Sequence, residues 1–335
     1  MTTTRRALTA CALLAGLAAT AGCTAAAPAD DAGIGEAGSG FPVTVENCGT
    51  EVTFEQAPER IVILKPASVP ALRDIGVLDR AVARAGDFPD AYFDAATITE
   101  LDRIERIGGE LDATGHLQIS QEAILAQQPD LVTGEVESAP RAALDRLGVP
   151  LIEEPALCAS GADPSPDFSS VFAQLDTYGA IFDREDAAER ANSELRKRVQ
   201  AATERAADAG DASPRTAAVL YPTVGGGTTY AYGTGSMAHA QLETAGFSNV
   251  FNDVSARVFE VGAEELLERD PDILILLHSS GEPEPVAEAL RRLPGAEDLT
   301  AVRNDDVMVQ LLHFTEPATP LAVDGLERII DRFAP

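Results

Sequence analysis

The chain has no tryptophan and only two lysines, Lys65 and Lys197, in 335 residues. Positive charge of any kind is scarce. Lysine and arginine together number 25 against 54 aspartates and glutamates, a formal net charge of −29. That balance excludes the basic face with which proteins hold nucleic acid. The lysine shortage, beside abundant Ala, Asp and Glu, reads as coding bias in a GC-rich genome and carries no function. Long apolar runs are also missing. Ala7 to Thr20 is apolar and almost uncharged, but a membrane-spanning helix takes about 20 such residues. Enzyme signatures are missing too. Gly225-Gly226-Gly227 and Gly233-Thr234-Gly235-Ser236 lack the lysine of a phosphate loop and the order of a dinucleotide fingerprint. Ser236 is not framed as a nucleophile elbow. These glycines are expected to form a turn before a helix at the cleft.

What is present begins with Arg5, Arg6, the run Ala7 to Thr20 and then Ala21-Gly22-Cys23. A positive start, a short apolar core and small residues before a cysteine predict a lipoprotein leader, residues 1–22, removed ahead of a lipidated Cys23. Thr20 stands where such boxes usually carry leucine. Thr4-Arg5-Arg6 leaves both the twin-arginine and the general export route open. Removing the leader takes two positive charges and no acid, so −29 becomes −31. Cys11 goes with the leader and Cys23 is used by the anchor. Cys48 and Cys158 remain, and in an oxidising compartment they are expected to pair. Residues 23–40, rich in Ala, Asp, Gly and Ser without periodicity, predict a flexible tether.

From Phe41 the pattern changes. Val43 to Glu46 and Val52 to Phe54 flank Cys48-Gly49-Thr50 and predict a hairpin. Ile61-Val62-Ile63-Leu64 is a continuous apolar run of the kind buried in parallel sheets. Helices and strands then alternate: a helix from Val69 stopped by Gly76, strand Ala81 to Ala85, a Ser120-capped helix, strand Pro129 to Thr133, a helix ended by Gly148, and strand Val149 to Ile152. After Asp167 the period is helical as far as Ala207, broken at Asp183 to Asp186, giving one long helix or two in succession. Alternation restarts at Thr216 and closes with helix Leu321 to Phe333. The expected fold class is α/β: an N-terminal lobe over 41–166, a linking helix over 167–207 and a C-terminal lobe over 208–335.

Several phrases in this order are similar to those of the substrate-binding lipoproteins of ABC importers, in the class that carries iron–siderophore complexes, haem and cobalamin. They are Asn47-Cys48-Gly49 with Pro58-Glu59-Arg60-Ile61-Val62, Ile119-Ser120 with Pro129-Asp130-Leu131-Val132, Ala245-Gly246-Phe247-Ser248-Asn249-Val250-Phe251, Val261-Gly262-Ala263-Glu264 with Asp270-Pro271-Asp272-Ile273, and Leu299-Thr300-Ala301-Val302-Arg303. The resemblance covers nearly all of residues 41–335. It implies two Rossmann-like lobes joined by a rigid helix, a ligand in the cleft between them, and capture without any bond being broken. It implies a monomer anchored on the extracytoplasmic face of the cell membrane, with an importer permease and ATPase as partners and a ferric chelate as the bound molecule. Members dock through one surface glutamate per lobe. Glu264 matches the second position, whereas Pro70 stands at the first, with Asp74 one turn on as a substitute.

In such lobes the cleft lies at the carboxyl ends of the strands. That rule selects Lys65, Ser68 and Phe88 in the first lobe, and Tyr221, Tyr230, Tyr232, His278, His313 and Phe314 in the second. Tyr230 and Tyr232 alternate on a strand, so both face one side, and aromatic faces suit a bulky chelate. Lys65 is placed to balance an anionic ligand, with Arg257 a weaker candidate for that role. No two of His116, His239, His278 and His313 have helical ligand spacing, although His278 and His313 both follow strands. The leading reading is therefore a ferric-siderophore carrier with no resident metal or cofactor. A bare zinc or manganese scavenger, or an enzyme on the same fold, stands as the alternative.

Overall fold

The computed structural model describes residues 40–111, 116–158, 162–208 and 214–334. The leader, Cys23 and the tether up to residue 39 lie outside the described residues. The described chain opens with a hairpin, β1 (Val43–Asn47) against β2 (Thr50–Phe54). Cys48 at its turn is bonded to Cys158, 110 residues on.

The first sheet uses β3 (Ile61–Ile63), β4 (Ala81–Arg84) and β5 (Glu105–Arg106). A small antiparallel pair follows, β6 (Glu110–Leu111) with β7 (Leu117–Gln118). Then come β8 (Leu131–Thr133) and β9 (Leu151–Ile152). The order β5-β4-β3-β8-β9 is parallel throughout. The second sheet is built from β10 (Thr216–Pro222), β11 (Thr229–Tyr232), β12 (Ser248–Asn249), β13 (Val258–Val261), β14 (Ile273–His278) and β15 (Val307–Leu311). Its order is β13-β11-β10-β14-β15, with β12 beside β10. β10, β14 and β15 run parallel, but β11 and β13 are antiparallel to their neighbours. The alternation of strands and helices had predicted two similar parallel lobes. The difference lies at Gly225, Gly226 and Gly227, which occupy the hairpin turn between β10 and β11 and precede no helix. Gly233 to Ser236 do lead into one, Met237–Thr244, with the Ser236 side chain accepting from the His239 backbone N–H.

The continuous apolar runs follow from burial on both faces. Ile61 and Ile63 belong to one core, whereas Val62 and Leu64 belong to another. Likewise Ile273, Ile275 and Leu277 face the first core, and Leu274 and Leu276 face a third. The first core is shared. It holds one face of each sheet together through Leu175, Tyr178, Ile181 and Phe182. Fully burying a side chain of this size contributes roughly 1.5–3 kcal/mol, so the two lobes are packed into one body.

The linking stretch is two helices, Phe168–Phe182 and Glu185–Asp208. Asp167 starts the first with a capping box to Ser170, and Asp183 ends it in the left-handed conformation. Asn192 reaches back to the Phe172 carbonyl and the Asp176 carboxylate, so the second helix folds back along the first. Arg198 then ties the longer helix to Asp324 and Glu327 on the closing helix Pro320–Phe333, at 2.6 Å each. Among the described residues no helix is long and apolar enough to cross a membrane.

Candidate functional site

The strand ends place a cavity of about 370 Å³ between the lobes. β3 delivers Lys65, β4 delivers Asp87, and β8 delivers Glu135 and Glu137. From the second lobe come Tyr221 at the end of β10, Tyr232 on β11, Ser279 after β14 and His313 after β15. A second cavity of about 770 Å³ adjoins the first through His116, Tyr221, Tyr232 and Ser279, which line both. Tyr230, His278, Val224 and Val258 line only the second. Tyr230 and Tyr232 thus open on one cavity, as their alternation predicts.

Close backbone approach shapes both walls. At Gly134 (φ +88°) a Cβ would stand 2.9 Å from Lys65 Cγ, so the bare backbone makes room for the lysine stem. At Gly233 a Cβ would stand 2.3 Å from the Val254 carbonyl oxygen. That contact seats the loop carrying Arg257 against the cavity.

Lys65 does not meet the cleft as a free cation. Its Nζ lies 2.5 Å from Glu153 Oε2, and the Glu153 side chain is fully buried. The same Oε2 accepts from the Glu135 backbone N–H at 2.7 Å, and Oε1 accepts from the Glu154 N–H at 2.7 Å. Arg257 is held in the same way, 3.3 Å from the buried Glu316. Burial pushes the Glu316 carboxyl up, and Arg257 pulls it back down. Replacing Lys65 by methionine should leave Glu153 buried and uncompensated. A loss of about 3 kcal/mol in urea unfolding is expected, and a loss below about 1 kcal/mol would show that the pair does not hold this wall.

His313 closes the floor between the lobes. Its backbone N–H donates to the Tyr92 hydroxyl at 3.0 Å, and its Nδ1 lies 2.8 Å from the Glu316 carbonyl oxygen. Burial pushes the imidazole down to about 4. The Tyr92 ring, from the first lobe, packs at 5.5 Å from His313 and 5.0 Å from Phe314. His278 turns its Nδ1 to the Ser280 carbonyl oxygen at 2.9 Å. In each ring Nδ1 is thus engaged by a backbone carbonyl oxygen. Among the described residues no three His, Cys, Asp or Glu side chains converge as metal ligands.

Three of the selected residues lie in the expected loops but point inward. Ser68 is buried, with its hydroxyl 2.9 Å from that of Thr133. Phe88 is buried beneath the Arg84 guanidinium, 5.1 Å from its ring. Phe314 is buried between Tyr92 and the Arg328 guanidinium, the latter 4.0 Å from its ring. Asp74 is a further correction. It is half-buried and paired with Arg73 at 2.6 Å, and burial pushes its carboxyl up. It offers no free carboxylate for docking. Glu264 stands exposed in the first turn of helix Ala263–Arg269. Glu153 and Glu154 were overlooked, although the strand-end rule reaches them directly after β9. Tyr92 carried no signal in the sequence.

A family model for periplasmic binding proteins matches residues 61–310. The chain belongs to the periplasmic binding protein family. A solved structure from Saccharomonospora viridis, described as an ABC-type Fe3+-hydroxamate transport system, is 52% identical with a TM-score of 0.83. The match covers 88% of this chain and all of that one. A cobalamin-binding protein from Halobacterium salinarum is 25% identical over 300 residues, 88% of this binding protein and 74% of the relative. A periplasmic haem-binding protein from Pseudomonas aeruginosa, 21% identical with a TM-score of 0.66 over 83% of this chain and 93% of that one, shares the fold. The two-lobed α/β class expected from the sequence is the fold that this chain shares with these solved structures.

Proposed function

We propose that this binding protein captures a ferric siderophore-type complex outside the membrane and delivers it to an ABC importer. The observation that carries the reading is the cleft itself, two adjoining cavities between two packed lobes with tyrosines on one side. Identity of 52% over nearly the whole folded chain to an Fe3+-hydroxamate system supports it. In this reading Cys23 holds the lipid anchor on the extracytoplasmic face, and Glu264 meets the permease with its exposed carboxylate. In this reading capture and release involve no covalent step. Cobalamin is a second reading, favoured by the relative from Halobacterium salinarum.

Tyrosine emission tests both, because the chain has five tyrosines and no tryptophan. A ferric hydroxamate should quench it saturably, with a dissociation constant in the nanomolar to low micromolar range, roughly −8 to −12 kcal/mol. Tyr230→Ala should weaken binding by about 1–2 kcal/mol through loss of the ring face. If hydroxamate, catecholate and mixed ferric siderophores, haem and cobalamin all fail to bind, the reading is wrong. Saturable binding of cobalamin alone would replace it with the second.

A further inference from the structure

We propose that the cleft selects its ferric complex by charge, admitting neutral and cationic complexes and rejecting anionic ones. This rests on the reading of the ligand as a ferric complex. Among the described residues, the lysine and the arginine that line the first cavity are already neutralised. Lys65 and Arg257 lie 2.5 Å and 3.3 Å from Glu153 and Glu316, whose side chains are 0% and 1% exposed. A carboxylate buried that far has no solvent to replace its partner, so each pair persists when a ligand arrives.

The other charged side chains lining the cavity among the described residues include Asp87, Glu135 and Glu137. Asp87 makes no ion pair among the described residues. Arg84, three residues earlier, is directed instead to the Leu101 carbonyl, the Asp102 carboxylate and the Phe88 ring. Glu135 accepts from the Arg141 backbone N–H at 2.8 Å, but the Arg141 guanidinium points to the Leu151 carbonyl and to Asn47. Glu137 stands exposed at the rim, and Glu282 lines the adjoining cavity. Among the described residues that line the first cavity, Asp87, Glu135 and Glu137 are carboxylates with no ion-pair partner. Between walls of low dielectric such charges act on a ligand more strongly than they would on an open surface. The whole-chain charge of −29 adds a field of the same sign, screened beyond about 8 Å at physiological salt.

The test holds the iron donors fixed and varies only charge. A linear ferric trihydroxamate with a free ammonium carries +1, its N-acetyl derivative is neutral, and its N-succinyl derivative carries −1. Affinity should fall in that order, by roughly three- to ten-fold per unit charge. The spread should narrow between about 20 mM and about 500 mM salt. Asp87→Asn combined with Glu137→Gln should compress it further. If the anionic member binds as tightly as the cationic one, or if the double substitution leaves the spread unchanged, charge selection is wrong and capture of ferric complexes survives. Failure of all three members to bind overturns both.

Discussion

Breaking the Cys48–Cys158 bridge, by reductant or by alanine at both positions, is expected to lower stability by about 3–5 kcal/mol. The bond closes 110 residues of chain, so most of the first lobe lies inside the loop. Losing it returns that loop-closure entropy to the unfolded ensemble. The folded state should hardly change, because the same junction has other ties. Asn47, next to Cys48, donates to the Glu153 carbonyl and accepts from the Glu153 N–H and the Arg141 guanidinium. Such bonds contribute about 1 kcal/mol each, more where one partner is charged. The melting temperature should therefore drop by roughly 6–10 °C without loss of helix content at room temperature. The bridge also borders the cleft, since Leu157, beside Cys158, lines the first cavity. Ligand affinity should change little on reduction, because the ties at Asn47 keep this edge in place. A melting shift of under about 2 °C would mean that the loop is already closed in the unfolded chain or is held by the other contacts alone.

The parts of this molecule that were legible in its sequence are those that depend on near neighbours. Ile61 to Leu64 announced a buried strand because both of its faces are covered. The ends of the strands then located the cleft. Chain position did not reveal the direction of a side chain. Ser68, Phe88 and Phe314 occupy cleft loops yet turn into the core, whereas Asp87, beside Phe88, lines the cavity. Nor did it reveal distant partners. Lys65 reads as an open cation until Glu153 arrives from 88 residues away, and that meeting is what the proposed preference for neutral or cationic ligands rests on. The antiparallel half of the second sheet was obscured by a glycine-rich turn that resembles a loop before a helix. The interlobe contact of Tyr92 with His313 spans 221 residues and leaves no local pattern at all.

Glu154→Gln is expected to stabilise the protein at pH 8 by a few kcal/mol and to leave it nearly unchanged at pH 5. Glu154 is fully buried behind Glu153, and its Oε1 accepts from the Tyr178 hydroxyl at 3.0 Å. Oε2 makes no hydrogen bond of good geometry among the described residues, although the Gln174 side chain, with Tyr178, pulls the carboxyl part of the way back down. Burial first, and the Glu153 charge second, push this carboxyl up to about 8 from an ordinary value of 4.5. The folded protein therefore keeps the proton between pH 4.5 and 8, while the unfolded chain releases it. Where the folded state binds more protons, stability falls as pH rises. The contribution is complete below about pH 4.5 and lost by about pH 8, and a shift of this size is worth on the order of 4 kcal/mol. Glutamine keeps the shape and cannot ionise, so the variant lacks this loss. His313 titrates in the opposite sense. Its folded value of about 4 lies below the ordinary 6.5, so its contribution is complete above about 6.5 and lost as pH falls towards 4. Both proteins carry His313, so the difference between their urea unfolding free energies at each pH removes it and isolates Glu154. That difference should grow steadily from pH 5 to pH 8. A flat difference would mean that Glu154 is ionised in the folded state and that its burial is compensated by charge or water reaching Oε2.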